Sequence, residues 1–214
     1  MPLQNRVTPF GELVATPARG AWMGNRGRLH DAERRIVRRV VPSYRAWVTC
    51  VLEFRARRRT VMTPGRYTEL FFLDEATALA AGHRPCGECR RADFLRFKNA
   101  WLSGNRDRGV GETSTISALD RELHRDRLEA DGRQRTTEGV LDTLPDGVFV
   151  TLPDRPDEAL LLWRGALWSW TAAGYEAPRR RQDVTPRVTI LTPRSTVAAV
   201  SAGYAPAVHE SAGP

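Results

Sequence analysis

Cys86-Gly87-Glu88-Cys89 is the stretch of this 214-residue chain whose residue types and spacing are best suited to chemistry. On a tight turn, which Gly87 permits, such a pair presents two thiolates to one metal ion. A closed tetrahedral site needs two further ligands, and Cys50, His30 and His83 are the nearest candidates in sequence. Cys50 falls on a segment that reads as a strand, so it could face the pair. It also shares a face with Val48, Leu52 and Phe54, the pattern of a core cysteine. The expected metal set is Cys86, Cys89, Cys50 and His30, with zinc as the cofactor; the alternative is a reduced pair without metal. A thioredoxin-like redox role fits poorly, because the pair does not open a helix behind a buried parallel strand.

The pair closes a longer pattern. Leu70-Phe71-Phe72-Leu73-Asp74-Glu75-Ala76 runs through Ala80-Ala81-Gly82-His83-Arg84-Pro85 into Cys86-Gly87-Glu88-Cys89-Arg90-Arg91. This run resembles the second half of the zinc module in Ada-type methylphosphotriester DNA repair proteins, a module also appended to some nucleases. The resemblance implies a paired-Phe strand, an alanine-rich helix and a knuckle in which Cys86 and Cys89 hold zinc. The family's upstream cysteine pair has no counterpart here beyond Cys50.

Acid–base candidates are few. Asp120 precedes His124 by four residues on an expected helix, a spacing that lets a carboxylate orient an imidazole. Glu69, on a strand with Tyr67, is the third catalytic candidate, whereas Asp74 is taken up as a helix cap. His209, near the C-terminus, is a weaker one. The opposing view of Asp120 and His124 is a solvated helix face rich in both charges. No Ser-His-Asp order, phosphate loop, dinucleotide fingerprint or His-Glu-x-x-His motif is present.

The formal charge is +8 and Lys98 is the only lysine, so arginine supplies the positive charge. Arg19 to Arg66 holds thirteen arginines against Asp31, Glu33 and Glu53, which predicts one cationic surface. Guanidinium forks suit phosphate, and the partner expected is nucleic acid, DNA favoured over RNA. Candidate contacts are Arg55, Arg57, Arg58, Arg59 and Arg66 beyond the first strand, and Arg84, Arg90 and Arg91 at the knuckle. Trp22, Arg26 and Arg28 add an aromatic and two cations in a Gly-rich stretch. The competing reading is that these arginines only solvate a surface. Trp168 and Trp170 share a strand face, read as a core ridge rather than a base-stacking platform.

The elements that must position these residues form an expected α+β fold: a small antiparallel sheet with short helices, a zinc-knuckle-like element and a C-terminal β-meander. Residues 1–45, broken by Pro and Gly, read as a basic arm. Residues 46–135 hold the Ada-like knuckle core, with strands at 46–54 and 68–73 expected to pair antiparallel. Helices are expected after Asp74, over Arg91 to Leu102 and over Thr115 to Ala130. Residues 136–214 carry the meander, a basic link at Arg179 to Gln182, a strand at 188–191 and a helix over Ser195 to Ala202. Asp74 to Pro85 aligns with Ser195 to Pro206 as a possible repeat, both running helix, Gly, aromatic or His, x-Pro. No apolar run approaches a membrane span, Met1 to Gly20 lacks a signal core, and three cysteines suggest a reduced, cytoplasmic chain. The function expected is a DNA-binding protein of the repair or processing kind, acting by base excision or strand hydrolysis if it is an enzyme. The alternatives are a non-catalytic zinc-stabilised nucleic-acid-binding module and an RNA-processing protein.

Overall fold

A computed structural model describes residues 1–56 and 60–213. The fold is α+β, with two six-stranded sheets and four short helices among the described residues.

The first sheet contains β1 (Gln4–Val7), β2 (Leu13–Ala15), β3 (Trp22–Asn25), β4 (Val48–Cys50), β5 (Leu70–Phe72) and β6 (Arg84–Pro85). Their spatial order is β2-β1-β5-β3-β4-β6. The expected basic arm is therefore corrected: residues 4–25 supply three strands of this sheet. At three or four residues each, they are too short to show an alternation that sequence could reveal. The expected antiparallel pairing of β4 with β5 is corrected too. β3 lies between them and pairs antiparallel with both, which leaves β4 and β5 running in the same direction.

The second sheet contains β7 (Thr137–Val140), β8 (Phe149–Leu152), β9 (Arg155–Trp163), β10 (Ala166–Thr171), β11 (Gly174–Arg180) and β12 (Arg187–Ile190), in the order β11-β10-β9-β8-β12-β7. The meander is present and one strand longer than expected. Arg179 belongs to β11, where it bonds both oxygens of Glu158 on β9, rather than to a free basic link.

Between the sheets lies α1 (Glu75–Ala80), every residue of which is buried. Its alanines have a packing reason. Ala76 and Ala80 touch the second sheet's Phe149, Leu161 and Tyr175, while Ala78 packs with Leu70 and Phe72 of the first sheet. Leu79 enters a third cluster with Phe94, Phe97, Trp101, Leu119 and Leu123. A helix enclosed on three sides accommodates small side chains best. The last cluster is built by α2 (Arg91–Gly104), α3 (Ile116–Arg127) and α4 (Arg194–Ser201). Leu119 and Leu123 hold α3 in place, whereas Ile116 is exposed at its first turn. Among the described residues no helix is long and apolar enough to cross a membrane.

Candidate metal centre

The backbone brings the cysteines together in three steps. Asp74 Oδ1 accepts the Thr77 N–H at 2.8 Å and starts α1. Gly82, at φ +80°, stops it: the Gly82 N–H reaches Leu79 O and the His83 N–H reaches Ala78 O. The chain leaves this stop as β6, parallel to β4, with Val48 opposite Arg84 and Thr49 opposite Pro85. One residue further on, Cys50 meets Cys86, whose N–H bonds Thr49 O at 2.9 Å. The turn to Cys89 is closed by Arg90 N–H on Cys86 O at 3.1 Å.

The sulfurs of Cys50, Cys86 and Cys89 lie within 4.8 Å of one another, and none is in a disulfide. The hydrogen bond from Cys50 draws the Cys86 thiol down to about 5, assisted by the N–H groups of Cys89 and Glu88 against the opposing effect of burial. Cys50, as the donor to that thiolate and a buried group, is pushed far up. Burial holds Cys89 above its ordinary value despite an N–H from Val51. The three sulfurs thus compete for protons, and a divalent cation with affinity for thiolate would replace them. Thiolates around zinc, at about 2.3 Å from the metal, sit roughly 3.8 Å apart, so the donor set fits zinc with little contraction. No His, Asp or Glu joins the three sulfurs among the described residues.

All three cysteines line one pocket of about 370 Å³. Met23, Val48 and Phe71 give it apolar walls, Asn25 and Glu69 are its buried polar groups, and Tyr44, Phe54 and Tyr67 are further aromatics in its lining. Glu69 is held by the Met62 N–H, which donates to its Oε2 at 2.8 Å. Exposed arginines adjoin three lining residues in the chain: Arg45 beside Tyr44, Arg55 beside Phe54 and Arg66 beside Tyr67.

Several expected site residues stand elsewhere. His30 is not a ligand; it is buried, with Nδ1 2.7 Å from Thr68 Oγ1 and Nε2 3.2 Å from Thr63 O. Asp120 and His124 do not pair. Both Asp120 oxygens accept from Arg84, at 2.7 and 2.8 Å, in a buried fork. His124 instead meets Trp47 edge-on, its pKa lowered to about 4 by burial and by Arg127 and Arg45. Three of the expected phosphate contacts are interior groups. Arg84 is committed to Asp120, Arg90 to Glu75 and Asp93, and Arg26 is 2% exposed. Trp22 lies half-buried beneath the Arg90 guanidinium at 3.9 Å, not on a free arm. Arg28, Arg55, Arg66 and Arg91 are exposed, and Arg57, Arg58 and Arg59 lie outside the described residues.

Sequence reasoning missed Arg127, which is 1% exposed and donates to the carbonyls of Gly82, Arg45 and Asp120. On a helix carrying Arg121 and Arg125 as well, nothing in its spacing marks it as interior. No family model, no curated protein and no solved structure matches the chain.

Proposed function

We propose that this is a zinc–thiolate protein directed at nucleic acid, of the DNA repair or processing kind. The observation that carries the reading is the convergence of three cysteines on one pocket whose aromatic lining residues have exposed arginines as their neighbours in the chain. Cys50, Cys86 and Cys89 would hold zinc. The metal would supply charge to keep the thiolates deprotonated and one position open to an incoming group. Arg45, Arg66 and Arg91 would engage phosphates, and Tyr44 would offer a ring on which a base can stack, while Arg55 lies over the Phe54 ring at 4.9 Å. Glu69 is the carboxylate this reading assigns to proton transfer, because it shares the pocket with the thiols.

The deciding experiment combines elemental analysis with binding and turnover. Purified protein is expected to carry about one zinc per chain and to bind DNA more tightly than RNA of equal length. Neutralising Arg45 and Arg66 should flatten the salt dependence, because each lost phosphate contact releases fewer counterions. Metal-free protein of full stability, or binding indifferent to salt, would overturn the reading.

A non-catalytic zinc-stabilised module is the second reading, favoured by the engagement of Asp120 with Arg84 rather than with His124. Turnover of lesion-bearing oligonucleotides that Glu69→Gln abolishes excludes it. Unchanged DNA affinity with no turnover in either protein supports it.

A further inference from the structure

A second pocket, of about 190 Å³, holds two guanidiniums with no carboxylate partner among the described residues. Arg26 and Arg127 both line it and both lie over the Trp47 ring, at 4.8 and 4.5 Å from its centre. Arg26 Nη2 donates to Gly11 O, and Arg127 donates to the three carbonyls already described. The Nε atoms of both are buried and have no partner in the protein. Asp120 is the acid nearest Arg127 electrostatically, but its oxygens are taken by Arg84. The one acid lining the pocket is Glu12, half-exposed and paired with Arg39 at the mouth. Arg133 also lines it and is exposed, bonded to Asp131.

Burying two like charges without counterions is costly, and such groups ordinarily lose the charge or gain an anion. Burial and Arg39 lower Arg26 to about 9, and burial with Arg84 and Arg26 does the same to Arg127. A third polar side chain constrains the ligand further. Gln134 donates its Nε2 to the carbonyls of Pro9, Ala80 and Leu191, which fixes the amide, and leaves Oε1 buried without a donor. The space between these groups is kept by Gly11, at φ +70°: a Cβ there would meet Gln134 Oε1 at 3.2 Å and Arg26 Nη1 at 4.0 Å.

We propose that this pocket binds a phosphate-type oxyanion, held by Arg26 and Arg127 with Gln134 Oε1 accepting from its hydroxyl. Guanidiniums match the oxygens of such an ion, and Arg39 would turn from Glu12 towards it. The cavity is smaller than the roughly 300 Å³ at which drug-sized sites begin, so it takes a single ionic group rather than a whole nucleotide. The ion is either free phosphate or the terminal phosphate of a larger molecule. The site shares no lining residue with the cysteine pocket and stands whether or not that centre binds zinc.

Thermal midpoints and calorimetry on the full chain test this, with inorganic phosphate titrated against chloride and sulfate at matched ionic strength. Phosphate is expected to saturate and to bind more tightly than sulfate, which at neutral pH brings no proton for Gln134. The Nε–H resonances of Arg26 and Arg127 should shift along the same curve. Arg26→Gln should weaken phosphate about tenfold or more. Arg39→Ala, at an exposed position, should weaken it by a smaller factor without risk to folding. A 5′-phosphorylated trinucleotide binding where its 5′-hydroxyl form does not identifies a terminal phosphate as the source; binding of inorganic phosphate alone identifies the free ion. The proposal is overturned if phosphate acts only as ionic strength does, or if Arg26→Gln and Arg39→Ala both bind phosphate like the unaltered protein.

Discussion

After α1, and again after α4, the chain passes through the same turn. The Gly82 N–H bonds Leu79 O and the His83 N–H bonds Ala78 O; the Gly203 N–H bonds Val200 O and the Tyr204 N–H bonds Ala199 O. Both glycines have positive φ, +80° and +101°. Each turn continues through x-Pro, and there the copies part. Behind Gly82 the chain becomes β6, is captured by β4 and delivers Cys86 and Cys89 to Cys50. Behind Gly203 it returns to the start of α1, where Tyr204 Oη donates to Glu75 Oε1 at 2.6 Å and the Ala207 N–H to Glu75 Oε2 at 2.9 Å. The His209 N–H completes the contact on Asp74. One turn builds a pocket wall and the other fastens α1, the helix that precedes the first turn. The turn is thus a local device; the strand or carboxylate that receives the emerging chain decides what it does.

The largest effect expected is on the cysteine-bearing turn alone. Structural zinc binding contributes roughly 10–16 kcal/mol in isolated finger peptides, so on the zinc reading chelation or Cys86→Ser would remove the metal and lower stability sharply. Ala207→Ser, at the matching and exposed position of the second copy, should leave the denaturation midpoint unchanged. Equal effects of the two changes would break the comparison. Next comes the residue before each proline. Arg84 carries a buried ion pair, whereas its counterpart Ala205 is exposed. Asp120→Asn leaves the Arg84 charge buried and uncompensated, with an expected loss of about 3–5 kcal/mol in urea unfolding. A loss below about 1 kcal/mol would show that water replaces the carboxylate there. The glycines sharpen the comparison further. Gly203→Ala meets nothing within 4 Å and pays only the left-handed backbone, about 1 kcal/mol. Gly82→Ala adds a Cβ 2.8 Å from the Arg127 side chain, which three carbonyls hold in place, so its cost should be about 2 kcal/mol or more.

What sequence could reveal follows the same division between local and long-range causes. The Asp74 cap, the glycine stop and the Cys-x-x-Cys turn are local, each readable from residues within a dozen positions. That Cys50 joins the pair depends on the β4–β6 register, which the spacing allowed without requiring. The short strands β1 to β3 offer little alternation to read: β1 and β3 are tied to β5 far along the chain, Arg6 to Phe71 and Gly24 to Leu70, and β2 is held by β1 alone. The arginines misled for a physical reason: Arg26, Arg84, Arg90 and Arg127 look like surface residues until a buried acid, a carbonyl or the Trp47 ring is placed beside them. Neither Asp120 nor Glu75 is marked in sequence as interior.

The smallest effect concerns the ring that follows each glycine. Tyr204 is anchored through its hydroxyl, while His83 packs at 5.1 Å from Trp47 and 4.8 Å from Phe72, its ring nitrogens near the Ala78 and Ala81 backbone but in no well-formed hydrogen bond. Burial, with Arg26 and Arg127 nearby, holds the His83 pKa well below its ordinary value, so the native ring is neutral. The unfolded ring protonates near 6.5. Below that pH the unfolded state therefore takes up a proton that the native state refuses, and stability falls with acid. His83→Phe keeps a ring of similar breadth against Trp47 and Phe72 and removes this uptake. The two proteins should unfold at nearly the same urea concentration at pH 7.5. Between pH 6.5 and pH 5 the unaltered protein should lose ground to the variant by up to about 1.4 kcal/mol per pH unit. Comparing the two at each pH cancels the contributions of His124, Asp74 and the cysteines, which titrate in both. Parallel curves from pH 7.5 to pH 5 would mean that His83 finds a partner for its proton inside the fold, and that the difference between the two turns is one of packing alone.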